Sequence, residues 1–265
     1  MTLLQGWAGY NRPMTKASKA KANKKTSAAC LDERLGELWP RLTQGDPGAV
    51  HEARKLTRKV AAEQAVTGAP KKVRHAWRDL RRAVAPLRDH DVAGEHLAAA
   101  LKEQGRPQSE ITAFRRDWAA QREQLLTQVQ WPEQPPTLER PSKFGRRARR
   151  ALAHAAQDLL EDTPAVLRAR KADIWHEWRK ALKHYRYTLE LVGKSPQSLS
   201  EILDALGRMQ DAEVVRGLLE QQNLLPDQRE ALLAREKKAR TDAQHKVRTL
   251  WPELEAHLRE MAAQD

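Results

Sequence analysis

Residues 50–66, VHEARKLTRKVAAEQAV, and residues 174–191, IWHEWRKALKHYRYTLEL, carry the same pentad, H-E-x-R-K, at His51 to Lys55 and again at His176 to Lys180. With 3.6 residues per helical turn, positions i, i+3, i+4 and i+7 share one side. His51, Arg54, Lys55 and Arg58 therefore align as one cationic stripe, and His176, Arg179, Lys180 and Lys183 as a second. The opposite sides read as apolar: Val50, Ala53, Leu56 and Val60 in the first, Ile174, Trp178, Leu182, Tyr185 and Leu189 in the second. Each segment is thus expected to be an amphipathic helix that packs by one side and presents cations on the other.

The two halves match beyond the pentad. Asp89 in LRDHDV follows His51 at nearly the distance at which Asp211 in MQDAEV follows His176, and each Asp-x-acidic-Val segment comes just after an expected helix break, at Pro86 and at Gly207. A duplicated helical unit is implied, and copies related by an approximate twofold would bring the two cationic helices together. From Leu31 onward the apolar period is helical, with no alternating strand pattern. The expected fold is all-α: two pseudo-twofold-related helical bundles around a basic central groove or pore. Pro47, Pro70, Pro107, Pro141, Pro164, Pro196 and Pro226 are read as helix starts, where a missing amide proton costs little. WPEQPPTLERP, residues 131–141, is a stiff break that no helix crosses. Residues 13–27 hold five lysines and almost no large apolar side chain, so residues 1–29 read as a flexible basic arm. The domain then spans 30–265, with a first repeat at 30–130, the linker at 131–141 and a second repeat at 142–265.

Lys+Arg 48 against Asp+Glu 35 leaves a formal charge of +13, which points to an acidic partner once the charges are seen to cluster. They do. Lys71, Arg74, His75, Arg78, Arg81 and Arg82 lie opposite Val73, Trp77, Leu80, Val84 and Leu87. Lys143, Arg147, Arg150 and His154 lie opposite Phe144, Ala148, Leu152, Ala155 and Leu159. Like charges one turn apart weaken a helix by a few tenths of a kcal/mol per pair, a cost that a bound anion offsets. Arginine offers planar paired donors and lysine a mobile point charge, a combination suited to phosphate. No aromatic platform for stacking bases is interleaved with these cations. Trp39, Trp131 and Trp251 each precede a proline and read as packing residues at helix ends. Glu52 and Glu177 are placed to pair with Lys55 and Lys180 at i+3, and Asp89 and Asp211 to orient neighbouring cations. The single cysteine, Cys30, excludes an intramolecular disulfide and a cysteine-rich zinc site, and no apolar stretch reaches 18 residues. With no signal-peptide pattern at the N-terminus, the expectation is a soluble cytoplasmic protein with no membrane association.

The paired pentads, their downstream aspartates, Leu206-Gly207-x-x-x-Asp211 and the HYRYTLEL segment resemble the CHAD family of α-helical, histidine-bearing domains over about residues 31–263. The resemblance implies two helical bundles joined around a basic pore or groove that binds inorganic polyphosphate, and association with polyphosphate granules. Carried over by motif position, the ligand residues are His51, Arg54, Lys55 and Arg58 with His176, Arg179, Lys180, Lys183 and Arg186. To these the accompanying stripes add Lys71, Arg74, Arg78, Arg82, Lys143, Arg147 and Arg150. Where the second copy has Arg186 the first has Ala61, so the halves need not hold phosphate equally.

Inorganic polyphosphate is therefore the expected partner, other polyanions being alternatives, with no cofactor, no metal and no catalysis. Two rival readings follow from the same residues. A nucleic-acid-binding protein would use the same cations together with the lysine arm. A metal-dependent phosphohydrolase would use the His90-Asp91 dipeptide, although Arg81, Arg82 and Arg88 crowd it with positive charge. No nucleophile elbow, P-loop or dinucleotide pattern is present.

Overall fold

The computed structural model describes residues 28–221 and 225–264, and among these the chain forms nine α-helices, one short 3₁₀ turn and no strand. The helices are α1 Ala28–Thr43, α2 Pro47–Thr67, α3 Lys71–Ala83, α4 Ala85–Glu103, α5 Gln108–Gln128, α6 Phe144–Arg168, α7 Ala172–Leu189, α8 Gln197–Gln221 and α9 Arg229–Ala262. Of the arm expected at 1–29, positions 1–27 lie outside the described residues, and Ala28 and Ala29 already belong to α1. The all-α expectation is met.

Helix α2, which carries the first pentad, is closed at both ends by local chemistry. The Asp46 carboxylate accepts the Ala49 amide at 2.8 Å, Pro47 occupies the first turn, and Gly68 ends the helix at φ +68°. Helices α3 and α4 nearly run together. They part at Val84 because Pro86 has no amide proton for the Arg82 carbonyl.

Two apolar cores hold the halves. In the first, Leu35, Leu42, Val50, Leu56, Trp77, Leu80 and Leu87 pack from α1 to α4, and linker residue Leu138 joins them. In the second, Leu152, Trp175, Trp178, Leu182, Tyr185, Ile202, Leu206, Val247 and Leu254 pack from α6 to α9. A third cluster, Ala93, Leu97, Trp118, Val215, Leu219 and Leu232, ties α4 and α5 to α8 and α9. Residues 131–141 form no helix, and the Trp77 indole donates to the Pro136 carbonyl at 3.1 Å. Arg140 meets the fully buried Glu63 with both nitrogens, so this break is pinned to the first core. The pentad helices α2 and α7 pack on each other, and so do the aspartate-bearing helices α4 and α8.

Four expectations need correction. Pro164 starts no helix but lies inside α6, where Thr163 Oγ1 donates to the Leu159 carbonyl and accepts from the Trp178 indole at 3.0 Å; burial of this network carries the helix past the missing bond. Gly207 likewise breaks nothing, sitting within α8. Trp251 lies within α9 and is buried in the second core, so it marks no helix end. Ile174, expected on the packed side of its helix, is exposed at 41 %, and Trp175, one residue on, is wholly buried in its place.

Candidate functional site

Helices α2, α3 and α7 enclose a cleft of about 430 Å³. From α2 come Arg54, Arg58 and Ala61, from α3 and its junction Arg81, Arg82 and Ala85, and from α7 His176, Arg179, Lys180, Lys183, His184 and Tyr187. A second cleft of about 330 Å³ lies alongside, lined by Thr57, Ala61 and Gln64 of α2 and by Lys71, Arg74, His75, Trp77, Arg78 and Arg81 of α3. Ala61 and Arg81 border both, so the two adjoin as one basic trough. Among the described residues no carboxylate lines either part.

The local fold explains why the cations converge. Helix α2 buries Ala53, Leu56 and Val60 in the first core while α7 buries Trp178, Leu182 and Tyr185 in the second. Because the two helices pack on each other, their remaining sides must share the seam. A bridge from Lys59 to Glu190 at 3.2 Å crosses it. Arg58 lies at the electrostatic centre: it repels His51, Arg54, Arg81, Arg179 and Lys183, and among the described residues no carboxylate pairs with it. Burial, aided by these neighbours, holds the Arg54, Arg81 and Arg179 guanidiniums below their ordinary range. On Lys183 the same two causes act harder. Burial first, then Arg179, Arg58 and Arg186, lower its ammonium to about 6 against the opposing pull of Asp211.

The acidic groups stand behind the trough. Asp89 accepts from Arg54 Nη2 at 3.3 Å, as the spacing suggested. Asp211 attracts Arg179 and takes His96 of α4 at 3.0 Å, which links α8 to α4. The i+3 pairs are present, Lys55 to Glu52 at 2.9 Å and Lys180 to Glu177 at 2.6 Å. His176 is oriented through Nδ1 by the Gln210 side chain. Gly207 faces the Arg179 guanidinium, whose Nη2 would lie at an ordinary contact distance of 3.5 Å from an added Cβ. The buried Nε groups of Arg78 and Arg179 have no acceptor among the described residues, although buried donors of this kind are nearly always satisfied. Both belong to residues that line the trough.

Arg54, Arg58, Lys71, Arg74, Arg78, Arg82, His176, Arg179, Lys180 and Lys183 therefore meet in one place. The other expected ligands lie outside the lining. His51 is half-buried on α2, pushed below its usual range by burial and then by Arg88 and Lys55. Lys55 turns toward Glu52, which also binds Arg34 of α1. Arg186 leans on Glu190 at 3.5 Å and stacks on Tyr187 at 4.7 Å. Lys143, just before α6, and Arg147 and Arg150 on it are exposed, Arg147 reaching the Thr67 carbonyl at the end of α2 at 3.4 Å. Residues not singled out as ligands also line the trough: Arg81 and His75, visible in the α3 stripe, and Thr57, Gln64, His184 and Tyr187, which no pattern marks.

The phosphohydrolase residues are engaged elsewhere. His90 stacks on Trp118 at 4.3 Å and bonds its carbonyl at 2.9 Å, while Asp91 is paired with Arg122 at 2.5 Å. Among the described residues no group of three or more His, Cys, Asp or Glu is arranged to hold a metal, and no helix is long and apolar enough to cross a membrane.

Comparison with solved structures gives two similar folds. PptA from Streptomyces chartreusis is similar with a TM-score of 0.56 and 18% identity, over 85% of this chain and 97% of that one. The CHAD domain from the plant Ricinus communis is similar with a TM-score of 0.52 and 20% identity, over 90% of this chain and 89% of that one. No curated protein matches the sequence. The CHAD domain family model matches residues 26–220, most of the chain, and the protein belongs to that family.

Proposed function

We propose that the protein binds inorganic polyphosphate without catalysing its hydrolysis, and that the trough between α2, α3 and α7 is the receptor. The observation that carries this reading is a lining of cations from three helices with no carboxylate among the described residues that form it, in which Arg58 repels Arg54, Arg81, Arg179 and Lys183. Membership of the CHAD family supports the choice of polyphosphate among anions. So does the chemistry of the walls. Guanidinium and ammonium donors spaced along a trough match a polymer whose every unit carries a charge, and binding would depend little on register. Pseudo-twofold relation of the two halves belongs to the same reading, as does residence in the cytoplasm or on polyphosphate granules.

The test is binding of long-chain polyphosphate at fixed ionic strength to the wild type, to Arg58→Glu with Arg179→Glu, and to Arg150→Glu with Lys238→Glu. Reversal inside the trough is expected to weaken binding at least a hundredfold, and reversal outside it a few-fold at most, because exposed charges are screened. Equal losses refute the trough. Duplex DNA or RNA that displaces polyphosphate at equal phosphate concentration would instead favour the nucleic-acid reading. Orthophosphate released with added divalent metal would favour the hydrolase.

A further inference from the structure

The smaller part of the trough runs as far as Gln64 of α2 and Lys71 of α3, which flank the turn joining these helices. Gln64 is 6 % exposed and its Nε2 has no acceptor among the described residues, so this end of the trough holds a buried donor that a phosphate oxygen would satisfy. Just past it the Thr67 carbonyl, the last of α2, accepts from Arg147 Nη1 of α6 at 3.4 Å. Two further contacts fix α6 at this place. Arg140 Nη2 donates to the fully buried Glu63 of α2 at 3.0 Å, and the same guanidinium lies 4.6 Å above the ring of Phe144, the first residue of α6. The start of α6 is therefore anchored where the trough ends.

That start carries positive charge without internal compensation. Lys143, Arg146, Arg147, Arg149 and Arg150 are exposed, none has an ion pair among the described residues, and the sequence holds no acid between Glu139 and Asp158. Exposed cations on α8 and α9 are treated differently: Arg216, Lys238 and Arg259 each hold a carboxylate one turn away on their own helix. Lys143, Arg146, Arg147 and Arg150 fall at i, i+3, i+4 and i+7, one side of a helix, where like charges repel. A bound polyanion offsets that repulsion.

We propose that the start of α6 is a second anion surface, reached by a polymer that already occupies the trough, and that it makes the protein select long polyphosphate over short. The inference rests on the reading of the trough as the receptor. A chain lying along α2 and α3 emerges at Gln64 and Lys71, and the next cations beyond the turn are those around Arg147. An oligophosphate of a few units is held within the trough and leaves them bare. Length selection follows because every added phosphate contact releases counterions, at about 0.7 in the slope of log K against log salt when the value for single-stranded nucleic acid is taken.

The experiment titrates the whole chain with tripolyphosphate and with long-chain polyphosphate over a range of salt. Lys143→Gln with Arg146→Gln and Arg147→Gln is expected to flatten the long-chain slope by about 2, three contacts at about 0.7 each. Long-chain affinity should fall about tenfold, since exposed contacts are individually weak, while tripolyphosphate keeps its affinity and its slope. Lys237→Gln with Lys238→Gln and Lys246→Gln removes the same charge from exposed positions of α9 and should leave both slopes as they were. An unaltered long-chain slope in the α6 variant, equal flattening for tripolyphosphate, or an equal effect of the α9 variant overturns the inference. Arg58→Glu with Arg179→Glu separates it from the parent reading. Loss of both anions in that variant, with neither slope moved by the α6 variant, sinks only the length selection. Both anions still bound in that variant sinks the trough itself.

Discussion

Binding of polyphosphate should draw a proton from solution, and Lys183 is the residue that takes it. In the free protein its ammonium is lowered to about 6 by burial and by Arg179, Arg58 and Arg186, against the pull of Asp211, so at pH 7.5 the amine is mostly uncharged. A phosphate chain in the cleft cancels those repulsions and returns the group toward its ordinary 10.5. The bound state then holds more protons between the two values, so affinity rises as pH falls toward about 6 and levels off below it, by about tenfold per pH unit at the steepest. Calorimetric titration at pH 7.5 in two buffers of different ionisation enthalpy should give apparent enthalpies that differ by about one proton's worth per occupied site. A long chain keeps its titrating terminal groups a negligible share of the ligand. His51, also held below its ordinary range, adds uptake only at lower pH. Lys183→Met should abolish most of the uptake at pH 7.5 while retaining binding. Identical enthalpies in both buffers, or full uptake by the Met variant, would refute the assignment.

Three further outcomes follow from the same geometry. Without ligand, Lys183→Met should be more stable than the wild type by on the order of a few kcal/mol at neutral pH, because the unfolded chain protonates this lysine readily and the folded one does not; the advantage in Tm should grow as pH falls from 10 to about 6, and a flat difference would show that the amine is not suppressed. With Arg54, Arg58, Arg81, Arg82, Arg179 and Lys180 charged in the larger cleft, log K against log salt should fall with a slope of about −4, taking about 0.7 per contact as for single-stranded nucleic acid, and Arg58→Ala should flatten it by about 0.7; an unchanged slope would remove Arg58 from the contact set. Gly94→Ala would set a Cβ 2.3 Å from the Trp118 indole nitrogen, and that ring is fixed by stacking on His90 at 4.3 Å and by donating to the His90 carbonyl at 3.0 Å; about 1–3 kcal/mol should be lost, several degrees in a melt, and an unaltered Tm would mean that α4 and α5 separate freely.

What the sequence made legible, and what it hid, divides along a physical line. Periodicity reports the direction in which one helix must pack, since apolar burial repeats with the turn, and on that ground the all-α fold and the cationic stripes of α2, α3 and α7 were readable. The breaks at Pro164 and Gly207 were misread for a related reason. A missing hydrogen bond or side chain is a local cost, while the Thr163–Trp178 hydrogen bond and the burial of α8 residues around Gly207 in the second core are gains made by residues distant in the chain. The site shows the same division. A stripe states that a helix has a basic side and is silent about what faces it. Arg54 and Arg179 meet across a seam because α2 and α7 happen to pack together, whereas the equally regular Lys143, Arg147 and Arg150 lie exposed at the start of α6 and outside the trough, and Lys55 is drawn aside by a carboxylate that Arg34 also holds. Lys183 is the sharpest case. Its helix position marks it as one cation among several, yet burial, and after it Arg179 and Arg186 of its own helix and Arg58 of α2, lower its ammonium to about 6 and make it a group through which pH can act on the site. Spacing along one chain cannot show a property that arises only where two segments converge.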